Sequence, residues 1–145
     1  MATIKSYTDI EQSKKLAEIL PPESADMCFV NDGTSIKIDA NSYNTRKLMW
    51  KDVQLIPCWS LAALMNLLPS EFTTENEFGK YKYEIKIRKY KFTDEVNLYQ
   101  IAYGNYKWHE DGSNSWKDMI NTGEKEDLLD AAFEMVCWLK ENKKI

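Results

Sequence analysis

Between Tyr81 and Asn142 the chain carries two aromatic-rich strand patterns, a loop flanked by tryptophans, and one well-punctuated amphipathic helix. No other stretch constrains the fold as strongly. Tyr81, Tyr83, Ile85 and Ile87 alternate with Lys82, Glu84, Lys86 and Arg88, the period-two pattern of a half-buried strand. At Lys89 the phase changes and Tyr90 and Phe92 take over the apolar positions, so a bulge or sharp twist is expected there. A second strand should run from about Val96 to Tyr103. The turn cluster Asp111-Gly112-Ser113-Asn114 then lies between Trp108 and Trp116. A helix is expected near 124–142, with Glu124, Glu126 and Asp127 in its first turn and Lys140, Lys143 and Lys144 at its end. Charges so placed complement the helix dipole, each contributing ~0.3–1 kcal/mol. Leu129, Ala132, Phe133, Val136 and Leu139 supply a stripe to cover the aromatic strands, with Phe133 at mid-stripe.

Upstream, Thr8-Asp9-Ile10-Glu11 reads as a capping box for a helix near 9–20, which Pro21-Pro22 ends. Asp32-Gly33 between two strand-like runs signals a hairpin near 27–38; a two-residue loop would pair Phe29 with Ile36 and Met27 with Ile38. Asp39 to Lys47 is polar and reads as a loop, and a short strand is sketched within Leu48 to Ile56. Pro57 to Leu68 reads as an almost wholly apolar helix near 57–68, closed by Pro69. Glu71 to Gly79 reads as a linker too short to divide a domain. The fold class that follows is α+β: one domain over 1–145, an antiparallel sheet of about 4–6 strands (hairpins near 27–38 and 81–103) covered by helices.

The 145 residues are enough for a core, and 43% hydrophobic with 29% charged residues is ordinary for a globular protein. A net charge of −4 disfavours a dedicated duplex-DNA binder. Cys28, Cys58 and Cys137 are far apart and set among apolar neighbours, which reads as buried thiols of a reducing compartment. No run approaches the ~18 apolar residues of a membrane span, and the first five residues lack the apolar core of a secretion signal. A cytoplasmic location and no membrane partner are expected.

Catalytic chemistry is hard to assemble. His109 is the single histidine; with Glu110 and Asp111 it invites a base or metal reading, but three consecutive turn residues diverge, and no second histidine completes a zinc shell. Cys58 lies near a helix start, yet Ile56 and Trp59 argue for an inert core thiol. No catalytic group, metal or cofactor is therefore assigned. The stretch Lys80–Lys91 holds six basic residues and one acidic. Lys82, Lys86, Arg88 and Tyr90 could track and stack a single-stranded nucleic acid. The favoured reading is a solvated sheet face whose lysines block edge pairing, because alternation sets the lysines opposite most of the tyrosines. Met135 and Trp138 widen the last helix's apolar face and suggest a second contact surface, simplest as a symmetric homodimer.

Three segments together carry a resemblance: Tyr7-Thr8-Asp9-Ile10-Glu11-Gln12-Ser13-Lys14-Lys15-Leu16-Ala17, Pro57-Cys58-Trp59-Ser60-Leu61-Ala62-Ala63-Leu64, and Leu128 to Leu139. The chain resembles a family of small uncharacterised proteins of gut Bacteroides-type bacteria and their phages or mobile elements. These are packing and capping motifs, so the resemblance implies a setting and no activity. Thr122-Gly123-Glu124-Lys125-Glu126-Asp127-Leu128-Leu129-Asp130-Ala131 is more loosely similar to HicB-like antitoxins, from which the insert around Trp108 to Trp116 departs. The leading expectation is a non-enzymatic accessory protein acting through protein contacts as a homo-oligomer, with an unidentified protein partner. The alternative is a single-stranded nucleic-acid-binding or antitoxin-like protein using the Lys80–Lys91 strand. An enzyme would need a deep pocket assembled from distant residues.

Overall fold

The structure, a computed structural model, describes residues 5–49 and 53–145. It is α+β, with two antiparallel sheets where the sequence pattern predicts one. The chain expected as one domain divides by its contacts into two compact units, one reaching Leu67 and one running from Leu68 to Ile145.

The first unit contains α1 (Ile10–Ile19), β1 (Met27–Asn31), β2 (Ile36–Asp39), α2 (Tyr43–Met49), β3 (Gln54–Cys58) and α3 (Leu61–Leu67). Its sheet has the order β2-β1-β3. Helix α1 does begin with a capping box, but one residue later than read: Asp9 accepts from the Gln12 N–H at 2.8 Å, and the Gln12 amide oxygen accepts from the Asp9 N–H at 3.1 Å. Thr8 is thereby freed for the interior. It is fully buried; its N–H donates to the Trp59 carbonyl at 2.9 Å and its hydroxyl accepts from the Trp59 N–H at 3.2 Å and lies 2.7 Å from that of Ser13.

The β1–β2 hairpin forms in a different register. Phe29 pairs with Ile38 and Asn31 with Ile36, leaving a four-residue turn. The Asp32 carboxylate sets it, accepting from the N–H groups of Thr34 and Ser35 and the Thr34 hydroxyl, which holds that carboxyl down to about 2. A slip of two keeps the same side chains on each face, so the alternation could not distinguish the two registers. Pro57 and Cys58, assigned to a helix, instead end β3. As an edge strand β3 tolerates proline, since a missing N–H can face away from the ladder. The helix starts only after Ser60, whose hydroxyl accepts from the Ala63 N–H at 3.1 Å. The polar segment read as a loop contains α2, and residues 50–52 of the sketched strand lie outside the described residues.

The second unit contains β4 (Glu71–Asn76), β5 (Gly79–Lys91), β6 (Asn97–Trp108), β7 (Asn114–Asn121) and α4 (Leu128–Glu141), with sheet order β4-β5-β6-β7. The expected linker after Glu71 is thus a strand, turned back at Gly79 with φ 130°. No bulge occurs at Lys89: β5 and β6 pair in regular register from Glu84↔Gly104 to Lys91↔Asn97. The irregularity lies between β6 and β7 at Tyr103/Gly104. Glycine is required there, because a Cβ on Gly104 would stand 2.2 Å from the Lys117 carbonyl oxygen and 2.9 Å from the Trp116 ring.

Helix α4 starts at Leu128, not 124, because Lys125 exchanges two backbone hydrogen bonds with Tyr99 of β6 (2.8 and 2.6 Å) and stays extended. It lies against β6. Ile101, Tyr103, Leu129, Ala132, Val136 and Leu139 are all fully buried. Phe133, placed at mid-stripe by the sequence, is only half-buried. Phe72 of β4 packs on this side against Tyr103 (4.9 Å between ring centroids), Tyr83 (5.7 Å) and Trp138 (6.3 Å).

Candidate functional site

Strand alternation divides the four-stranded sheet into an inner face, which α4 covers, and an outer face. The alternation sets Lys80, Lys82, Lys86, Arg88 and Tyr90 of β5 on the same outer face as Gln100, Gly104, Tyr106 and Trp108 of β6 and Trp116, Asp118 and Asn121 of β7. All four residues singled out for nucleic-acid contact, Lys82, Lys86, Arg88 and Tyr90, therefore share one surface. Tyr81 and Tyr83 point the other way, as the alternation requires. The aromatic partners of the basic row come instead from β6 and β7.

At the centre is Asp118. Its carboxylate accepts two hydrogen bonds from the Arg88 guanidinium (2.8 and 2.6 Å), one from the Trp116 indole N–H (2.6 Å) and a longer one from the Asn121 amide (3.3 Å). Arg88 also donates to Gln100 at 2.8 Å, and the Tyr90 hydroxyl reaches the same Gln100 oxygen at 3.3 Å. A bidentate guanidinium–carboxylate pair is planar and directional. Arg88 pulls the Asp118 carboxyl down to about 2, with Trp116 and Asn121 acting the same way; the pairing raises Arg88 in turn. The Lys86 ammonium lies 4.8 Å from the Trp116 ring centre, and Tyr106 meets that indole edge-on at 5.2 Å. The result is a cross-braced floor over β5, β6 and β7, with Tyr90 (40% exposed), Tyr106 (51%) and Trp108 (75%) standing in solvent.

The face is also balanced in charge. Lys80, Lys82, Lys86 and Arg88 are matched by Glu71, Glu75, Glu84 and Asp118 in the same register. Lys82 lies 2.9 Å from Glu71 and 3.9 Å from Glu84, and Glu71 raises its pKa.

The other sequence candidates are not drawn together. His109 sits in the β6–β7 turn with Nε2 2.7 Å from the Ser115 hydroxyl; the Asp111 carboxylate accepts from the Ser113 N–H at 2.9 Å and braces that turn. Cys58 is fully buried beside Thr8, and burial pushes its thiol up, away from the reactive thiolate. Cys28 and Cys137 are buried as well. Met135 is 1% exposed and offers no surface, while half-buried Trp138 packs on Phe72. Among the described residues no cluster of histidine, cysteine and carboxylate side chains could hold a metal ion, and no helix is long and apolar enough to cross a membrane.

Sequence reasoning missed Asp118, Tyr106, Trp108 and Trp116 as partners of the basic strand. The signal was present: Tyr106 and Trp108 continue the alternation of β6, and Trp116 and Asp118 alternate after the Asp-Gly turn. No protein-family model, curated protein or solved structure matches the chain.

Proposed function

We propose that this chain is a non-enzymatic accessory protein that works through protein contacts, and that it self-associates through the outer face of the β4–β7 sheet. The observation that carries this reading is the exposure of Tyr106 and Trp108 at one end, and of Tyr90 toward the other, of a braced face without net charge. Tyrosine, tryptophan and arginine are the side chains enriched where protein interfaces draw most of their binding energy. A floor already locked by Asp118 loses little conformational freedom on docking. Mixed charges of both signs allow the same patch to face its own copy about a two-fold axis.

The reading is tested by sedimentation equilibrium over micromolar to millimolar concentrations. Wild-type protein should dimerise, and the double variant Tyr106→Ser/Trp108→Ser should stay monomeric while keeping its far-ultraviolet spectrum. A wild-type monomer throughout, or a dimer untouched by the substitutions, contradicts it.

Single-stranded nucleic-acid binding is the second reading, favoured by Lys82, Lys86 and Arg88 sharing one face, with Lys86 over the Trp116 ring and Tyr106 against it. The local carboxylates weigh against it, since they leave little net charge to release counterions from a phosphate chain. Polarisation titration with labelled oligonucleotides at low salt separates the two, because only this reading expects binding that falls steeply as salt rises. A role tied to phages or mobile elements rests on the resemblance alone.

A further inference from the structure

The two hairpins of the second unit part company at one end of the sheet. Strand β5 pairs with β6 only from Glu84↔Gly104 onward, so Gly79–Tyr83 is held by β4 alone and Asn105–Trp108 by β7 alone. Between the separated arms lies a cleft of about 350 Å³, lined by Tyr81, Tyr83, Asn105, Lys107, Lys117, Asp118 and Met119. It takes Tyr81 and Tyr83 from one hairpin and the remaining residues from the other.

Its electrostatics differ from those of the outer face. Asn105 pairs with Lys117 and Lys107 with Ser115, which makes Lys107 and Lys117 diagonal neighbours on adjacent strands. Among the described residues neither ammonium has a carboxylate within ion-pair distance, whereas Lys82 and Arg88 nearby are both paired. Asp118, the one acid on the lining, has both carboxylate oxygens engaged by Arg88. Two like charges held side by side in a chain of net charge −4 disfavour each other and attract an anion. Two tyrosine rings and the polarisable thioether of Met119 give the same cleft flat apolar walls. The Asn105 amide and two phenol hydroxyls supply further donors. The volume falls at the small end of ligand sites.

We propose that this cleft is a binding site for a flat organic anion: an aromatic carboxylate whose ring system lies against Tyr81, Tyr83 and Met119 and whose carboxylate meets Lys107 and Lys117. The site shares Asp118 with the outer-face network but none of the Tyr90, Tyr106 and Trp108 anchors, so it can be tested apart from the self-association proposed above.

The test is titration of 15N-labelled protein with 2-naphthoate, and separately with the neutral 2-naphthylmethanol, followed by amide chemical shifts. Naphthoate should move the amides of residues 81–83, 105–107 and 117–119 along one saturable isotherm, in both wild type and the Tyr106→Ser/Trp108→Ser variant. The alcohol should bind at least about tenfold more weakly. The Lys107→Gln/Lys117→Gln variant should lose at least about tenfold in naphthoate affinity, and the control Lys89→Gln should lose none; the same spectra report that each variant is folded. Equal binding of acid and alcohol, shifts mapping away from the cleft, or no shift at millimolar naphthoate overturns the proposal.

Discussion

Replacing Asp118 by asparagine keeps the side chain's shape and removes the charge on which Arg88, Trp116 and Asn121 converge. The carboxyl is held at about 2, against an ordinary 3.8. At ~1.4 kcal/mol per pH unit, that displacement sets a ceiling of about 2 kcal/mol on what the ionised form adds to stability. The side chain is 21% exposed, so solvent screening lowers the contribution toward about 1 kcal/mol. Leaving the Arg88 guanidinium without its bidentate partner works in the opposite direction. Asp118→Asn should therefore cost about 1–2 kcal/mol at pH 7, read by urea unfolding followed by tryptophan fluorescence. The sign of the pH dependence follows from the depressed pKa. The contribution is fully present above the unfolded-state value near 3.8 and is lost as pH falls through about 2. The gap between wild type and variant should hold from pH 7 to about pH 5 and close toward pH 2. Asp32, Asp39 and Asp111 are also lowered, but equally in both proteins, so the difference isolates Asp118. A gap that is absent at pH 7, or that persists undiminished at pH 2, refutes the reasoning.

Leu139 is fully buried and Phe133 only half-buried, so Leu139→Ala should cost ~2–5 kcal/mol and Phe133→Ala clearly less; thermal melts in which Phe133→Ala proves the more damaging would show that α4 packs through a different face. Thr8→Val removes the hydroxyl that accepts from the Trp59 N–H and meets Ser13, and should cost ~1–3 kcal/mol by denaturant titration, whereas a neutral result would mean that these groups find other partners.

What the sequence made legible was local. Alternation placed Lys82, Lys86 and Arg88 on one face and Tyr81 and Tyr83 on the other, because side-chain direction in a strand depends only on parity. The thiols of Cys28, Cys58 and Cys137 were read as buried from their apolar neighbours, and they are. The failures share a cause: they depend on partners distant in the chain. Pro57 reads as a helix start until β1 pairs with its strand. Glu124 and Glu126 read as a first helical turn until Tyr99 holds Lys125 extended. The Trp108–Trp116 segment reads as a loop because its turn residues are conspicuous, while the β6–β7 ladder on either side is set by pairing. The outer-face network was the least legible, since Arg88 and Asp118 lie 30 residues apart and only the register of β5, β6 and β7 together brings them into contact.

The outer face as a self-association surface is tested most directly by 19F spectra of protein labelled with 5-fluorotryptophan, recorded across a dilution series. Trp108 is 75% exposed and Trp59 is fully buried, so one chain carries both probe and control. The Trp108 resonance should move with concentration along a single dimerisation isotherm while that of Trp59 stays fixed. A Trp108 signal that does not change from micromolar to millimolar protein would contradict the account.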